Sequence, residues 1–177
     1  MWDWDMETDA TVYDERWAAI LGYTLDEVEY HNTFFERHTH PDDLRRVYDD
    51  IERHAAGEIP FIDLEIRMRH KDGTWRWVLD RGMIVERTDD GTPRRMVGTH
   101  MDITDHQQVE EEVRRQRNLL QNIFDTSPAA IVTADAEGRF VSASRRAKEL
   151  LGITSVEEYA YDDAEWNITD ENGDPIS

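Results

Sequence analysis

Cysteine is absent from all 177 residues. That excludes disulfides, thiolate metal sites, cysteine nucleophiles and cysteine-linked cofactors. Lysine is nearly absent too, with Lys71 and Lys148 the only two. Long apolar runs are missing, since nothing approaches the ~18 residues that a membrane span requires. The N-terminus opens Met1-Trp2-Asp3-Trp4-Asp5, acidic where a secretory leader is basic, so a cytoplasmic chain is expected. Positive charge is also short: 40 acidic residues face 20 basic ones, a net charge of -20. A nucleic-acid partner is not expected, because phosphate contacts need clustered Lys and Arg. The surplus acid fits either a surface for a cationic partner or adaptation to molar salt, where screening lengths shrink to a few ångströms. Its even spread along the chain favours the salt reading.

What is present is regular punctuation. Asp72-Gly73 separates residues 61–69 from 74–87, and Asp90-Gly91 separates that run from 94–103. Asp-Gly between strand-like runs signals a hairpin, in which both central residues take positive φ. Ile62, Leu64, Ile66 and Met68 alternate with Asp63, Glu65, Arg67 and Arg69, one buried face and one wet one. The three runs therefore form an antiparallel meander. Ahead of it, residues 2–6 and 11–13 read as short strands. Residues 14–21 read as a helix stopped by Gly22, 25–29 as a short helical turn, and Pro41 opens a longer helix ending at Gly57. Strands, then helices, then strands predict an α+β domain over residues 1–104.

From 105 to 126 the pattern changes to one long helix. Val109, Val113, Gln116, Leu120 and Ile123 step by four and three residues, a coiled-coil seam that predicts a parallel homodimer. Ser127-Pro128 ends it, and over 127–177 the opening pattern begins again. Leu150-Leu151-Gly152-Ile153-Thr154 repeats Ile20-Leu21-Gly22-Tyr23-Thr24, and Glu157 repeats Glu27, at one offset of 130 residues. Two copies of one unit are expected. The second copy stops after an Asn172-Gly173 turn with its meander missing, so the chain reads as a piece of a longer protein.

At this point the residues resemble a known family. Trp2-Asp3-Trp4-Asp5, Trp17, Leu21-Gly22-Tyr23 and His40-Pro41-Asp42-Asp43 resemble the first half of a PAS domain. Glu65-Ile66-Arg67, Asp72-Gly73, Arg76-Trp77-Val78, Gly98 and Asp102-Ile103-Thr104 resemble its second half. Residues 129–177 resemble the opening of another PAS domain more loosely, and the acidic, lysine-poor chain resembles sensors of salt-loving archaea. The resemblance implies a five-stranded antiparallel sheet with helices on one face, a small cavity between them, and a signalling helix leaving the last strand. It implies a sensory role upstream of an output domain such as a histidine kinase, with Asp102, Ile103 and Thr104 as the relay into the helix. Independently, Asp102 and Thr104 are fit to cap the start of that helix.

Candidate chemistry is sparse. His31, His38 and His40 near Asp42 and Asp43 match no metal-ligand spacing. The place of a haem-ligating histidine is taken by Tyr48, and Val78 stands where light-sensing relatives carry an amide, so neither haem nor flavin is expected. His106 lacks the residues that surround a phosphoacceptor histidine, and no glycine-rich nucleotide loop occurs, so this chain is not read as an enzyme. Trp75 and Trp77 share one face of the longest strand, in the core or on an interface. A cavity for an unknown small ligand would be lined by Phe34, Phe35, Leu44, Val47, Tyr48, Ile51, Ile66, Met68 and Val78, which is also the residue list of a filled core. The expected function is sensing and signal relay. The alternatives are a ligand-free dimerisation spacer and the input domain of a transcriptional regulator.

Overall fold

The computed structural model describes residues 1–137 and 139–152; the repeat at Glu157 and the Asn172-Gly173 turn lie outside them. The chain divides into two compact units, Met1–Glu110 and Glu111 onward. In the first unit a five-stranded antiparallel sheet has the order β2-β1-β5-β4-β3. Its strands are β1 (Trp2–Asp5), β2 (Thr11–Tyr13), β3 (Ile62–Arg69), β4 (Trp75–Arg87) and β5 (Pro93–Asp102). The first and last strands of the unit pair directly, Trp2 opposite Gly98 and Trp4 opposite Met96. The helices α1 (Glu15–Ile20), α2 (Asn32–His38) and α3 (Pro41–Ala55) cover one face. Trp17, Phe34 and Val47 from these helices share one core with Trp2, Trp4, Ile62, Ile66, Met68, Val78 and Met96 from the sheet.

The meander hairpins form where expected but by a different turn. Only the glycines are left-handed, Gly73 at φ 90° and Gly91 at φ 89°; Asp72 and Asp90 are not, so the expected pair of positive-φ residues does not occur. Each connection spans five residues, closed by His70 N–H to Thr74 O (2.8 Å) and Thr88 N–H to Thr92 O (2.9 Å). The aspartate works through its side chain, accepting from Thr74 N (2.8 Å) in one turn and Thr92 N (3.2 Å) in the other. An Asx-type bond replaces the αL aspartate of a two-residue turn.

Helix starts follow their caps. Asp14 Oδ1 accepts from Trp17 N at 2.8 Å, and His40, before Pro41, caps α3 through its ring nitrogen. The α2 helix was not expected from sequence; its cap is the ring of His31, outside the usual Ser/Thr/Asp/Asn set. Asp43, 3% exposed, ties α3 to β3 by accepting from Arg67 N (2.9 Å), Nε (2.7 Å) and Nη2 (3.0 Å).

The helix α4 (Thr104–Thr126) follows β5 after a single residue. In the second unit β6 (Val132–Ala134) pairs with β7 (Phe140–Ala143), and α5 (Arg145–Leu151) follows. Ser144, fully buried, caps α5 through Ala147 N and receives Ile131 N at 3.0 Å. Asp14 with Gly22, and Ser144 with Gly152, are thus matching start and stop signals at the repeat offset; the two glycines take φ 75° and 68°. No helix among the described residues is long and apolar enough to cross a membrane.

Candidate functional site

Strand parity builds the site. Along β4 the buried positions include Val78, Asp80 and Gly82, so a carboxylate stands in a row that should be apolar. Across the ladder Asp80 lies opposite His100 of β5, and both side chains are almost wholly buried, at 4% and 3% exposure. His100 Nε2 is 2.9 Å from Asp80 Oδ1. The same oxygen accepts from Trp2 Nε1 at 3.2 Å. On its other side, His100 Nδ1 receives Trp17 Nε1 at 2.7 Å. An indole N–H only donates, so Nδ1 is the acceptor and the ring proton sits on Nε2, facing the carboxylate. Side chains from β1, β4, β5 and α1 thereby meet in one buried polar chain, Trp2–Asp80–His100–Trp17. Its cost in burial is offset because each polar atom used has a partner.

Two facing glycines make room for this chain. Gly82 and Gly98 are cross-strand partners, and a Cβ on Gly98 would stand 2.3 Å from Trp2 Cζ2 and from the Arg81 carbonyl oxygen. The Trp2 indole therefore lies against bare backbone, a close approach that only glycine permits.

Beside the chain is a cavity of about 30 Å³, room for one or two water-sized groups. Of the nine residues expected to line a cavity, Phe35, Val47, Tyr48 and Ile51 do so. Phe34, Ile66, Met68 and Val78 are instead buried in the filled core, and Leu44 is half-buried. The expectation leaned on the α3 side and missed the far wall, which comes from Trp2, Trp4, Thr11 and Tyr13 on β1 and β2, and from Asp80 and His100. The signal that pointed there was parity: Asp80 falls between Val78 and Gly82 in the buried row of β4, and His100 continues the row of Met96 and Gly98 in β5. Asn32 Nδ2 donates to Tyr48 Oη (2.9 Å), which donates to Glu36 Oε1 (2.6 Å). Burial, and then the Glu36 carboxylate, push the Tyr48 phenol up from its ordinary pKa, and burial does the same to Tyr13. Thr11 Oγ1, within the same lining, is buried in no well-formed hydrogen bond.

The exit from the site is short. His100 is two residues from Asp102, whose Oδ1 accepts from Thr104 N (2.9 Å) and Thr104 Oγ1 (2.5 Å). The Thr104 hydroxyl also receives Trp77 N at 3.0 Å, and Ile103 N donates to Trp77 O at 2.9 Å. The start of α4 is thus fastened to β4 and β5 together. Farther along, Val109, Val113, Leu120 and Ile123 are 58–67% exposed and Gln116 is exposed as well.

The remaining candidates separate. His31 and His40 cap helices, while His38 stacks on Phe34 at 4.2 Å. No three His, Asp or Glu side chains among the described residues are grouped to hold a metal ion. His106 is exposed near Glu110. Trp75 and Trp77 lie on the outer face: Trp75 is 44% exposed and Trp77 is half-buried beneath the Arg67 guanidinium.

A cavity between helices and a five-stranded sheet, with a polar pair in its wall and a helix leaving the last strand, defines a sensory-domain architecture. Residues 10–100 match the family model described as PAS fold, and residues 118–176 match one described as PAS domain. The chain belongs to the PAS family. Sensor protein FixL of Bradyrhizobium diazoefficiens is 29% identical over 156 residues, 88% of this chain. The chain spans 30% of the FixL length. A sensory box histidine kinase/response regulator from Burkholderia thailandensis superposes with TM-score 0.59 at 33% identity, covering 68% of this chain and 88% of that one. The N-terminal domain of a diguanylate cyclase with PAS/PAC sensor from Marinobacter aquaeolei shares the fold, with TM-score 0.50 at 22% identity over 60% of this chain and 95% of that one. These relatives support a signal-sensing role.

Proposed function

We propose that the first unit is the sensory input of a cytoplasmic signal-transduction protein, and that it passes a change in its inner cavity through β5 to α4. On this reading α4 pairs in parallel with α4 of a second copy along Val109, Val113, Gln116, Leu120 and Ile123. The output domain, of histidine-kinase type as in the Burkholderia relative, belongs to the same protein. The unit works without haem or flavin, on a small ligand. One observation carries the reading. His100 in the cavity wall and Asp102 at the helix cap are two residues apart on one strand, and Thr104 fastens that strand end and α4 to β4. A shift of β5 against β4 therefore has to alter the start of α4, a two-state coupling of the kind that switching needs.

Hydrogen exchange over residues 104–126 tests this. Filling the cavity with Ile51→Phe should change exchange in α4, and adding Thr104→Val should abolish that response while the sheet stays protected. An α4 indifferent to cavity filling would make the unit a ligand-free spacer.

A further inference from the structure

The cavity wall has a chemical bias that names the ligand class, and the inference rests on the sensory reading above. Its ring N–H and tyrosine O–H donors are turned away, the Tyr13 hydroxyl toward the His31 carbonyl at 3.5 Å and the others toward carboxylates. Trp2 Nε1 is spent on Asp80, Trp4 Nε1 on Asp9 Oδ1 at 3.0 Å, and the Tyr48 hydroxyl on Glu36. What is left over is able to accept. Both contacts to Asp80 fall on Oδ1, and Oδ2 has no hydrogen-bond partner among the described residues. Thr11, 3% exposed, has its hydroxyl buried in the lining beside the Tyr13 phenol, in no well-formed hydrogen bond. The rest of the wall mixes the rings of Tyr13 and Phe35 with aliphatic Val47, Ile51, Ile62 and Met96, and no Lys or Arg lines it.

A free carboxylate oxygen, a buried hydroxyl and the nearby rings of Trp2 and Trp4 suit a group that carries positive charge and donates hydrogen bonds. Aromatic π systems attract cations most strongly where both are desolvated, and a buried carboxylate is stabilised by a cation that reaches it. An anion would meet three carboxylates within or just behind the wall, and the one basic side chain in the lining, His100, already faces Asp80. A metal ion would find a single carboxylate in the lining, too few hard oxygen ligands. At about 30 Å³ the space fits a group the size of a water molecule or slightly larger. We propose that this cavity binds a small ammonium cation, either ammonium itself or a methylated ammonium of a few heavy atoms. Asp80 Oδ2 supplies the charge, Thr11 Oγ1 accepts a hydrogen bond, and Trp2 and Trp4 form the aromatic wall.

The probes are ammonium, methylammonium and dimethylammonium chloride, exchanged against sodium chloride at constant ionic strength. Methanol and tert-butanol serve as neutral counterparts. The readout is the indole N–H resonances of Trp2 and Trp4 in the full chain. The expected result is a saturable shift with at least one ammonium probe and none with the neutral ones. Asp80→Asn should weaken that binding by about tenfold or more, and Thr11→Val should weaken it less. Because Asp80→Asn disturbs a buried chain, the charged-against-neutral comparison on the unaltered protein stands by itself. Equal shifts with neutral probes, or affinity unchanged in a folded Asp80→Asn protein, would overturn the ammonium assignment and leave the sensory reading intact. No shift with any probe would also overturn it, while the response of α4 to Ile51→Phe decides the sensory reading separately.

Discussion

Single residues carry the load at two places where the backbone has no alternative. Asp43 is buried at the start of α3 and satisfies the Arg67 backbone and guanidinium together. Burial opposes its charge, but the Arg67 hydrogen bonds and charge outweigh burial and hold the carboxyl below its ordinary pKa. Asp43→Ala should cost about 2 kcal/mol, since it leaves the Arg67 amide and half-buried guanidinium without their acceptor. The sign with pH follows from linkage. A depressed folded pKa gives stabilisation that is complete above the unfolded value of about 3.9 and is lost as pH falls through the folded one. The gap in denaturation midpoint between parent and Asp43→Asn should therefore be constant near neutrality and close below about pH 4; a gap that persists in acid would refute the ion-pair account. Gly98 is the second place. An added Cβ would meet the Trp2 ring and the rigid Arg81 carbonyl, whereas at Gly91 it would meet nothing within 4 Å and strain only a φ of 89°. Gly98→Ala should cost more than about 2 kcal/mol and Gly91→Ala about 1 kcal/mol. Equal midpoints for the two variants would remove the Trp2 slot from the explanation.

At the scale of elements, local signals were legible and non-local ones were not. The alternation of Ile62, Leu64, Ile66 and Met68 and the two Asp-Gly turns are short-range chemistry, and β3, β4 and β5 follow them. The α2 helix escaped because Phe34-Phe35 has no helical period and the cap is a histidine ring. Nothing local says that Trp2 pairs with Gly98 across the whole unit, so the part of the far wall that comes from β1 and β2 could not be read from composition or spacing. The seam of α4 is a periodicity whose proposed consequence, pairing with a second copy, lies outside one chain. Its apolar positions are left 58–67% exposed, and a 23-residue helix gains little stability from propensity alone. A double change, Val113→Asp with Leu120→Asp, should convert a sedimenting dimer to a monomer while the first-unit sheet keeps its circular dichroism. A dimer of unchanged mass would place the contact elsewhere.

For the whole molecule the ruling quantity is charge. Two electrostatic effects pull in opposite directions as salt is added. Screening weakens surface ion pairs, such as the fork of Arg95 to Asp3 (2.6 and 2.9 Å) with Glu86 (2.8 Å). It also relaxes the mutual repulsion of a chain with net charge -20. Exposed pairs contribute only about 0–1 kcal/mol each, and with 20 bases among 40 acids at least half of the acids have no basic residue of their own. Self-repulsion acts on the whole surplus and extends over a Debye length, about 30 Å at 0.01 M but about 3 Å at 1 M. Repulsion should win, so the thermal midpoint of the chain should climb steadily from about 0.05 M to about 1 M potassium chloride and level off once the screening length falls below the spacing of neighbouring charges. If ion pairs governed instead, the midpoint would fall over the same range. A falling or flat curve would count against the reading of the acidic surface as an adaptation to concentrated salt.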